Sequence, residues 1–342
     1  MALKHVTLRT PYLLFIGDVG DDGHAKTGHG IAYWRRELCA GQMCLPGCDV
    51  DLGLPDLSVD DAVAAGVGTA IIGIASTGGL LLDSWVPQLA ALARAGIDVA
   101  AGTHRKLASV PELVAAAEDG NARLIDVRVP PEGLPVGCGS RRSGKRVLTV
   151  GTDCAVGKKY SALALHRELE RRGVNTNFRA TGQTGIMIAG EGIPIDAVIA
   201  DFISGAAEVL SPDNDDNHWD VIEGQGALLH PGYAGVSLGL LHGSQPDAVV
   251  LCHDAGRGDI LGLEGSFAIP ALEDVIDLVL TCARLTNPQC ICAGISVNTS
   301  GYADKQRQEY LAELEAKHTL PCVDPLATGM ARIADYLLEH VQ

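Results

Sequence analysis

One stretch limits the fold of this chain more than any other: residues 146–161, RVLTVGTDCAVGKKYS. Five residues rich in strand formers, Arg146 to Val150, run into a glycine turn. Gly157 and Lys158 then open a long helical pattern in which Ala162, Leu163, Leu165, His166 and Leu169 share a face. Strand, glycine loop, Gly-Lys and helix is the layout of a phosphate-binding loop, whose backbone N–H groups point into one concavity at a helix N-terminus. The expected ligand-binding set is Gly151, Thr152, Asp153, Cys154, Ala155, Val156, Gly157, Lys158, Lys159, Tyr160 and Ser161. The plain alternative is a structural strand-to-helix turn. The usual pattern ends Gly-Lys-Ser/Thr, because that hydroxyl ligates the magnesium of a nucleoside triphosphate. Here Lys159 holds the position, Tyr160 follows, and Ser161 arrives two residues late. An ammonium cannot ligate a cation, but it neutralises phosphate directly. The sequence therefore predicts a phosphorylated ligand bound without a metal.

Composition narrows the function classes. The 342 residues are ample for two domains, and 47% hydrophobic content with 41 glycines and few aromatics suits α/β layers. A net charge of −16 argues against nucleic acid or an anionic membrane as the main partner, so a small-molecule substrate is expected. No amino-terminal stretch pairs a basic start with an apolar run and a cleavage site, and no apolar stretch reaches the length of a membrane span. The ten cysteines are irregularly spaced, with Cys252, Cys290 and Cys292 in predicted strands, the pattern of reduced, buried thiols in a cytoplasmic protein. Cys39, Cys44 and Cys48 lack a CxxC pair and a fourth ligand, so no metal is expected there.

Taken in order, the chain alternates strand and helix, which gives parallel sheets with right-handed crossovers. In the first half, strands are expected at Tyr12 to Ile16, Ala70 to Ile74, Ile97 to Ala101 and Arg123 to Val127. Helices are expected around Ile31 to Leu38, at Ser84 to Ala95 and at Val110 to Glu118. Gly78, Gly79, His104 and Arg105 lie at strand carboxyl ends, where such sheets hold ligands. Lys26-Thr27 reads either as a second anion spot or as a solvated loop. Residues 128–145, rich in proline and glycine, form the clearest linker and carry a basic patch of Arg141, Arg142 and Lys145. The expected organisation is a Rossmann-like parallel-sheet domain over residues 1–135 and a P-loop NTPase-like three-layer α/β domain over 136–342.

Each strand of the second half ends in polar residues. After Thr176 to Ala180 come Arg179, Thr181, Gln183 and Thr184, a guanidinium, hydroxyls and an amide suited to a carboxylate or phosphate. A helix is expected over Ile195 to Leu210, and the strand Trp219 to Glu223 ends in EGQGALLHPG. Glu223 and His230 on that segment are candidates for acid and base. Strands at Asp247 to His253 and Gln289 to Val297, and helices at Asp304 to Lys317 and Ala327 to His340, complete the domain.

The second half resembles the dethiobiotin-synthetase branch of P-loop proteins through Gly151-Thr152-Asp153, Gly157-Lys158, Arg179 to Gly182 and Glu223-Gly224-Gln225-Gly226. Lys159 breaks the first motif, and Arg179 replaces the lysine-proline of the second. The whole chain resembles more closely the two-domain family long carried as a domain of unknown function, whose described members include DgcN-type D-glutamate N-acetyltransferases. GTDCAVGKK, ATGQTGIM, EGQGALLHP, GVSLGLLHGSQPDA and the NTSG turn carry that resemblance. It implies an acyltransferase that moves an acetyl group from acetyl-CoA to the amino group of an acidic D-amino acid, as a homo-oligomer without a required metal. Lys158 and Lys159 are then expected on the CoA phosphates, Arg179 on a substrate carboxylate, and Glu223 or His230 as the base. Two rivals stand beside it: an ATP- and magnesium-dependent amide ligase or kinase, with Asp153 or Glu223 on the metal, and a nucleotide- or CoA-sensing protein without turnover.

Overall fold

The computed structural model describes residues 5–74 and 79–341. Its described residues divide into two compact units, one within 5–129 together with 183–194, the other 130–182 together with 195–341. Gly78 lies outside the described residues.

The first unit is built on a five-stranded, all-parallel sheet. Its strands are β1 (Tyr12–Gly17), β2 (Cys39–Cys44), β3 (Thr69–Ile72), β4 (Asp98–Ala101) and β5 (Leu124–Asp126), in the order β2-β1-β3-β4-β5. Helices α1 (Lys26–Trp34), α2 (Val59–Ala64), α3 (Val86–Arg94) and α4 (Pro111–Gly120) connect them. β1 is buried along its whole length, because both faces of a parallel sheet are covered. Its Leu13 and Phe15 share a core with Trp85, Leu89, Leu92 and Leu113. Both α3 and α4 carry proline in the first turn, where the missing N–H removes no helical bond. At the head of β4, Asp98 is fully buried and takes the guanidinia of Arg9 and Arg123, each at 2.6 Å.

Two expectations change here. The helix around Ile31 to Leu38 ends at Trp34, and after a 3₁₀ turn at Arg36–Leu38 the chain enters β2, a strand the sequence reading did not include. Residues 183–194 return to this unit and contain helix α6 (Gln183–Ala189).

The second unit carries a six-stranded, all-parallel sheet in the order β11-β10-β9-β6-β8-β7. The strands are β6 (Lys145–Gly151), β7 (Thr176–Arg179), β8 (Trp219–Ile222), β9 (Ala248–Asp254), β10 (Ile291–Asn298) and β11 (Cys322–Val323). Helices α5 (Lys158–Arg171), α7 (Ile203–Leu210), α8 (Ala234–Ser244), α9 (Leu272–Ala283), α10 (Asp304–His318) and α11 (Ala331–His340) join them. The long helix expected from Ile195 is instead two short 3₁₀ turns, Ile195–Ala197 and Ala200–Phe202, ahead of α7. The basic patch of the linker is used structurally. Arg141 pairs with Asp247 at 3.0 Å, Arg142 is buried against the carbonyls of Ser211 and Gly243, and Lys145 donates to the Val341 carbonyl. Among the described residues, no helix is long and apolar enough to cross a membrane.

Candidate active site at the end of the central strand

β6 lies between β8 and β9: the chain runs from it to β7 and β8 on one side, then crosses from β8 to β9 on the other. Open parallel sheets hold ligands at such a switch point, beyond the strands' carboxyl ends. Residues 151–157 occupy that position. The loop turns through Ala155 at φ +53° and Gly157 at φ +100°, both in the left-handed region. α5 then starts with Lys158 and Lys159 and has no acidic residue in its first turn. Two ammonium groups at the positive end of a helix dipole oppose the local field. That arrangement is stabilised when an anion lies against the same turn.

Lys158 is buried, and its Nζ donates to the Asp153 carbonyl at 2.7 Å. Burial pushes its ammonium below the ordinary lysine range. Two glycines make room for its side chain. A Cβ on Gly151 would meet Nζ at 3.0 Å, and a Cβ on Gly224 would stand 1.7 Å from the Thr149 carbonyl oxygen and 3.1 Å from Lys158 Cδ. The Lys159 ammonium sits over the Tyr160 ring at 5.0 Å, within cation–π range. Val156 is buried, and the Thr152 hydroxyl meets His253 Nδ1 at 3.2 Å. The Ser161 hydroxyl is 2.8 Å from that of Ser296 in the interior, and donates to the Gly157 carbonyl.

Asp153 is fully buried and committed on both oxygens. Oδ1 accepts from the Cys154 N–H at 2.6 Å; Oδ2 accepts from Arg257 Nη1 at 3.0 Å and from the Leu261 N–H at 2.8 Å. Arg257 also donates to the Cys154 carbonyl at 2.7 Å. This arginine, in the loop after β9, braces the phosphate loop from outside. Its only sequence signal was a charge-rich loop, HDAGRGD, at a strand end.

Glu223 lies one residue beyond β8 and is almost fully buried. The backbone N–H groups of Thr181 and Gly182 both donate to its Oε2 at 3.0 Å, and the Thr181 hydroxyl donates to its carbonyl at 2.6 Å. Burial pushes the Glu223 carboxyl above the usual carboxylate range. The two N–H groups and the charge of Lys159 offset this only in part. Gln225 donates to the Thr181 hydroxyl at 3.0 Å, so strand ends β7 and β8 are tied around the carboxylate. Arg179 goes elsewhere: its Nε donates to the buried Asp220 at 2.7 Å, beside the Ser211 hydroxyl at 2.5 Å from the same carboxylate. Gln183 and Thr184 belong to the other unit, where the Thr184 hydroxyl is 2.9 Å from that of Thr27 and Gln183 packs on Gly102. The four-residue polar cluster expected after β7 is therefore distributed over three separate settings. Thr27, of the expected anion spot, is buried in that hydroxyl pair.

His230 is buried, with its ring 4.6 Å from that of Tyr233, and the Gly232 N–H donates to its Nδ1 at 3.0 Å. Its ring nitrogen, the Asp153 carboxylate and the Cys154 thiol lie within 4.8 Å of one another. The fold brings His230 to the phosphate loop although it lies 76 positions after Cys154 in sequence. P-loop proteins commonly hold magnesium, and these three side chains are the cluster of metal-ligand types at this loop. The donor set does not fit magnesium. Magnesium takes oxygen ligands, here a thiol and an imidazole stand in their place, and the one carboxylate already answers Arg257.

Residues 40–130 match the family described as DUF1611_N, a Rossmann-like domain of unknown function, and residues 135–334 match DUF1611_C, its P-loop domain. The chain belongs to this family. A D-glutamate N-acetyltransferase of Tritonibacter scottomollicae is 47% identical over 330 residues, covering 96% of this chain and 99% of the relative. A D-glutamate N-acetyltransferase of a Pseudoalteromonas species is 47% identical over 326 residues, covering 95% and 98%. A crystal structure of a DUF1611 protein from Anabaena variabilis superposes with a TM-score of 0.86 at 32% identity, covering 96% of this chain and 99% of that one. At this similarity over nearly the full length, the DUF1611 chain is an enzyme of the acyltransferase class.

Proposed function

We propose that this enzyme transfers the acetyl group of acetyl-CoA to the amino group of an acidic D-amino acid, D-glutamate in the first instance. The two full-length relatives that carry this activity in their names support the reading. The observation that carries it in this chain is the first turn of α5, where Lys158 and Lys159 stand together with no acidic residue and no magnesium-binding hydroxyl. Coenzyme A brings a pyrophosphate and a ribose phosphate, and acetyl transfer breaks no phosphoryl bond, so phosphate is held and metal is not needed. Lys158 serves the CoA phosphates. Lys159, whose charge reaches Glu223, serves a phosphate or a substrate carboxylate in the same crevice.

Glu223 is the base. A carboxylate raised above its ordinary range by burial is a stronger proton acceptor than an exposed one, and Thr181 and Gly182 fix its orientation. The substrate ammonium loses a proton to Glu223, and the free amine attacks the thioester carbon. The C–N bond forms and the C–S bond breaks. Of the two protons the nitrogen sheds, one passes through Glu223 to solvent and the other ends on the CoA sulfur. A strong acid for the leaving group is unnecessary, since a thiol is already acidic.

Thiol release from acetyl-CoA, followed with and without D-glutamate in the presence of a chelator, tests the proposal. D-glutamate-dependent CoA release that persists in chelator is expected. Turnover that appears only with ATP and magnesium would replace the proposal with the ligase reading.

A further inference from the structure

We propose that His230 acts in the transfer as a hydrogen-bond donor through Nε2–H, aimed at the oxyanion that forms on the thioester oxygen, and not as the base. The inference rests on the acetyl-transfer reading and deepens it by separating two residues that sequence alone left interchangeable. The decisive contact is the Gly232 backbone N–H, which donates to His230 Nδ1 at 3.0 Å. A backbone amide cannot give up its proton, so Nδ1 must present a lone pair. The neutral ring then carries its hydrogen on Nε2, and a nitrogen that already bears hydrogen accepts no proton. The tautomer needed for a base would set Nδ1–H against Gly232 N–H, two donors facing each other at 3.0 Å, and the imidazolium would do the same.

The ring is held where it stands. The His230 N–H donates to the Ala227 carbonyl at 3.1 Å, and the His230 carbonyl accepts from Ala234 at 3.1 Å. The Tyr233 ring leans on one face at the start of α8. Turning the imidazole over would leave a carbon in front of the Gly232 N–H. The groups facing it from the loop after β6 are Asp153 and Cys154. The Asp153 carboxylate would favour an imidazolium if it were unanswered, but Arg257 and the N–H groups of Cys154 and Leu261 already engage it. His230 therefore offers one fixed N–H, on a ring that has a nitrogen within 4.8 Å of the Asp153 and Cys154 ligand atoms. No proton enters or leaves the ring during the reaction, and the proton path runs through Glu223 alone.

The test is read first on the unmodified protein. Long-range ¹H–¹⁵N correlation of histidine-labelled enzyme, at the pH of the assay, should show His230 with an unprotonated Nδ1 and a protonated Nε2. A proton on Nδ1 overturns the inference. In kinetics, His230→Ala should lower kcat about 10²-fold, as loss of an oxyanion donor does. His230→Gln, which keeps an N–H donor, should retain clearly more activity and an acid limb at the same pH as the unmodified enzyme. Equal loss in both variants with disappearance of that limb would make His230 the base. An unmodified enzyme that releases no CoA with D-glutamate sinks the donor role together with the acetyl-transfer reading. A wrong tautomer in an enzyme that does release CoA sinks the donor role alone.

Discussion

Lys158 and Glu223 are both buried ionisable side chains, yet they should fail differently when changed. Lys158 meets phosphates remote from the thioester, so its contribution is nearly the same in ground and transition states. Lys158→Ala should raise KM for acetyl-CoA by more than it lowers kcat, measured by saturation with each substrate. Glu223 meets the reacting amine. Glu223→Gln should lower kcat by roughly 10²–10⁴-fold, the usual range for loss of a positioned base, and abolish the acid limb. In the unmodified enzyme that limb should lie above the ordinary carboxyl value of 4.5, because burial raises the folded carboxyl. The same shift has a sign for stability. A raised carboxyl binds its proton more tightly in the folded than in the unfolded state, so ionising it destabilises the fold as pH climbs above 4.5. Glu223→Gln should therefore melt higher than the parent at pH 8, with the gap closing as pH falls through the raised folded value towards 4.5.

At the level of strands and helices, Asp98 shows how an edge-side carboxylate holds three segments. It is fully buried at the head of β4 and takes Arg9, ahead of β1, and both the backbone and side chain of Arg123, ahead of β5. Burial alone would push this carboxyl up, but the Arg9 and Arg123 hydrogen bonds outweigh it and hold it below 3.8. Its contribution is therefore present above pH 3.8 and lost as pH falls through the depressed folded value. Asp98→Asn should destabilise by about 2 kcal/mol in denaturant titration, less than the ~3–5 kcal/mol of a fully buried pair because both guanidinia are half exposed. Nothing in the local pattern of Arg9, Asp98 and Arg123 announces this triad, since all three contacts are made across strands. The loop 151–161 was legible because glycine spacing, a preceding strand and a following helix act within one short stretch. Glu223 was legible as a polar residue at a strand end. The short strand Cys39–Cys44 was not, because CAGQMC has neither alternation nor a run of β-branched residues and is strand by pairing with β1. The setting of Arg179 was equally hidden: a guanidinium at a strand end looks the same in sequence whether it awaits a ligand or answers a buried Asp220.

On the scale of the molecule, acetyl-CoA well above its dissociation constant should stabilise the protein in chelator by a few kcal/mol, about 2.7 kcal/mol at a hundredfold excess, read as a rise in Tm. ATP with magnesium stabilising where acetyl-CoA does not would go against the proposed donor. The net charge of −16 makes such binding depend on local cations, and salt should weaken it. The return of residues 183–194 to the first unit carries a different kind of consequence. α6 brings Thr184 to Thr27, and its Ile188 carbonyl takes Arg35, while the Gly190 carbonyl takes the Val6 N–H. As the polypeptide leaves the ribosome, β1 to β5 emerge long before the piece that completes their unit. Its counterpart's phosphate loop and α5 are made in between. Amino-terminal units usually finish first during synthesis. This one has to wait, and a gene cut at the apparent linker would encode a half that lacks its own last helix.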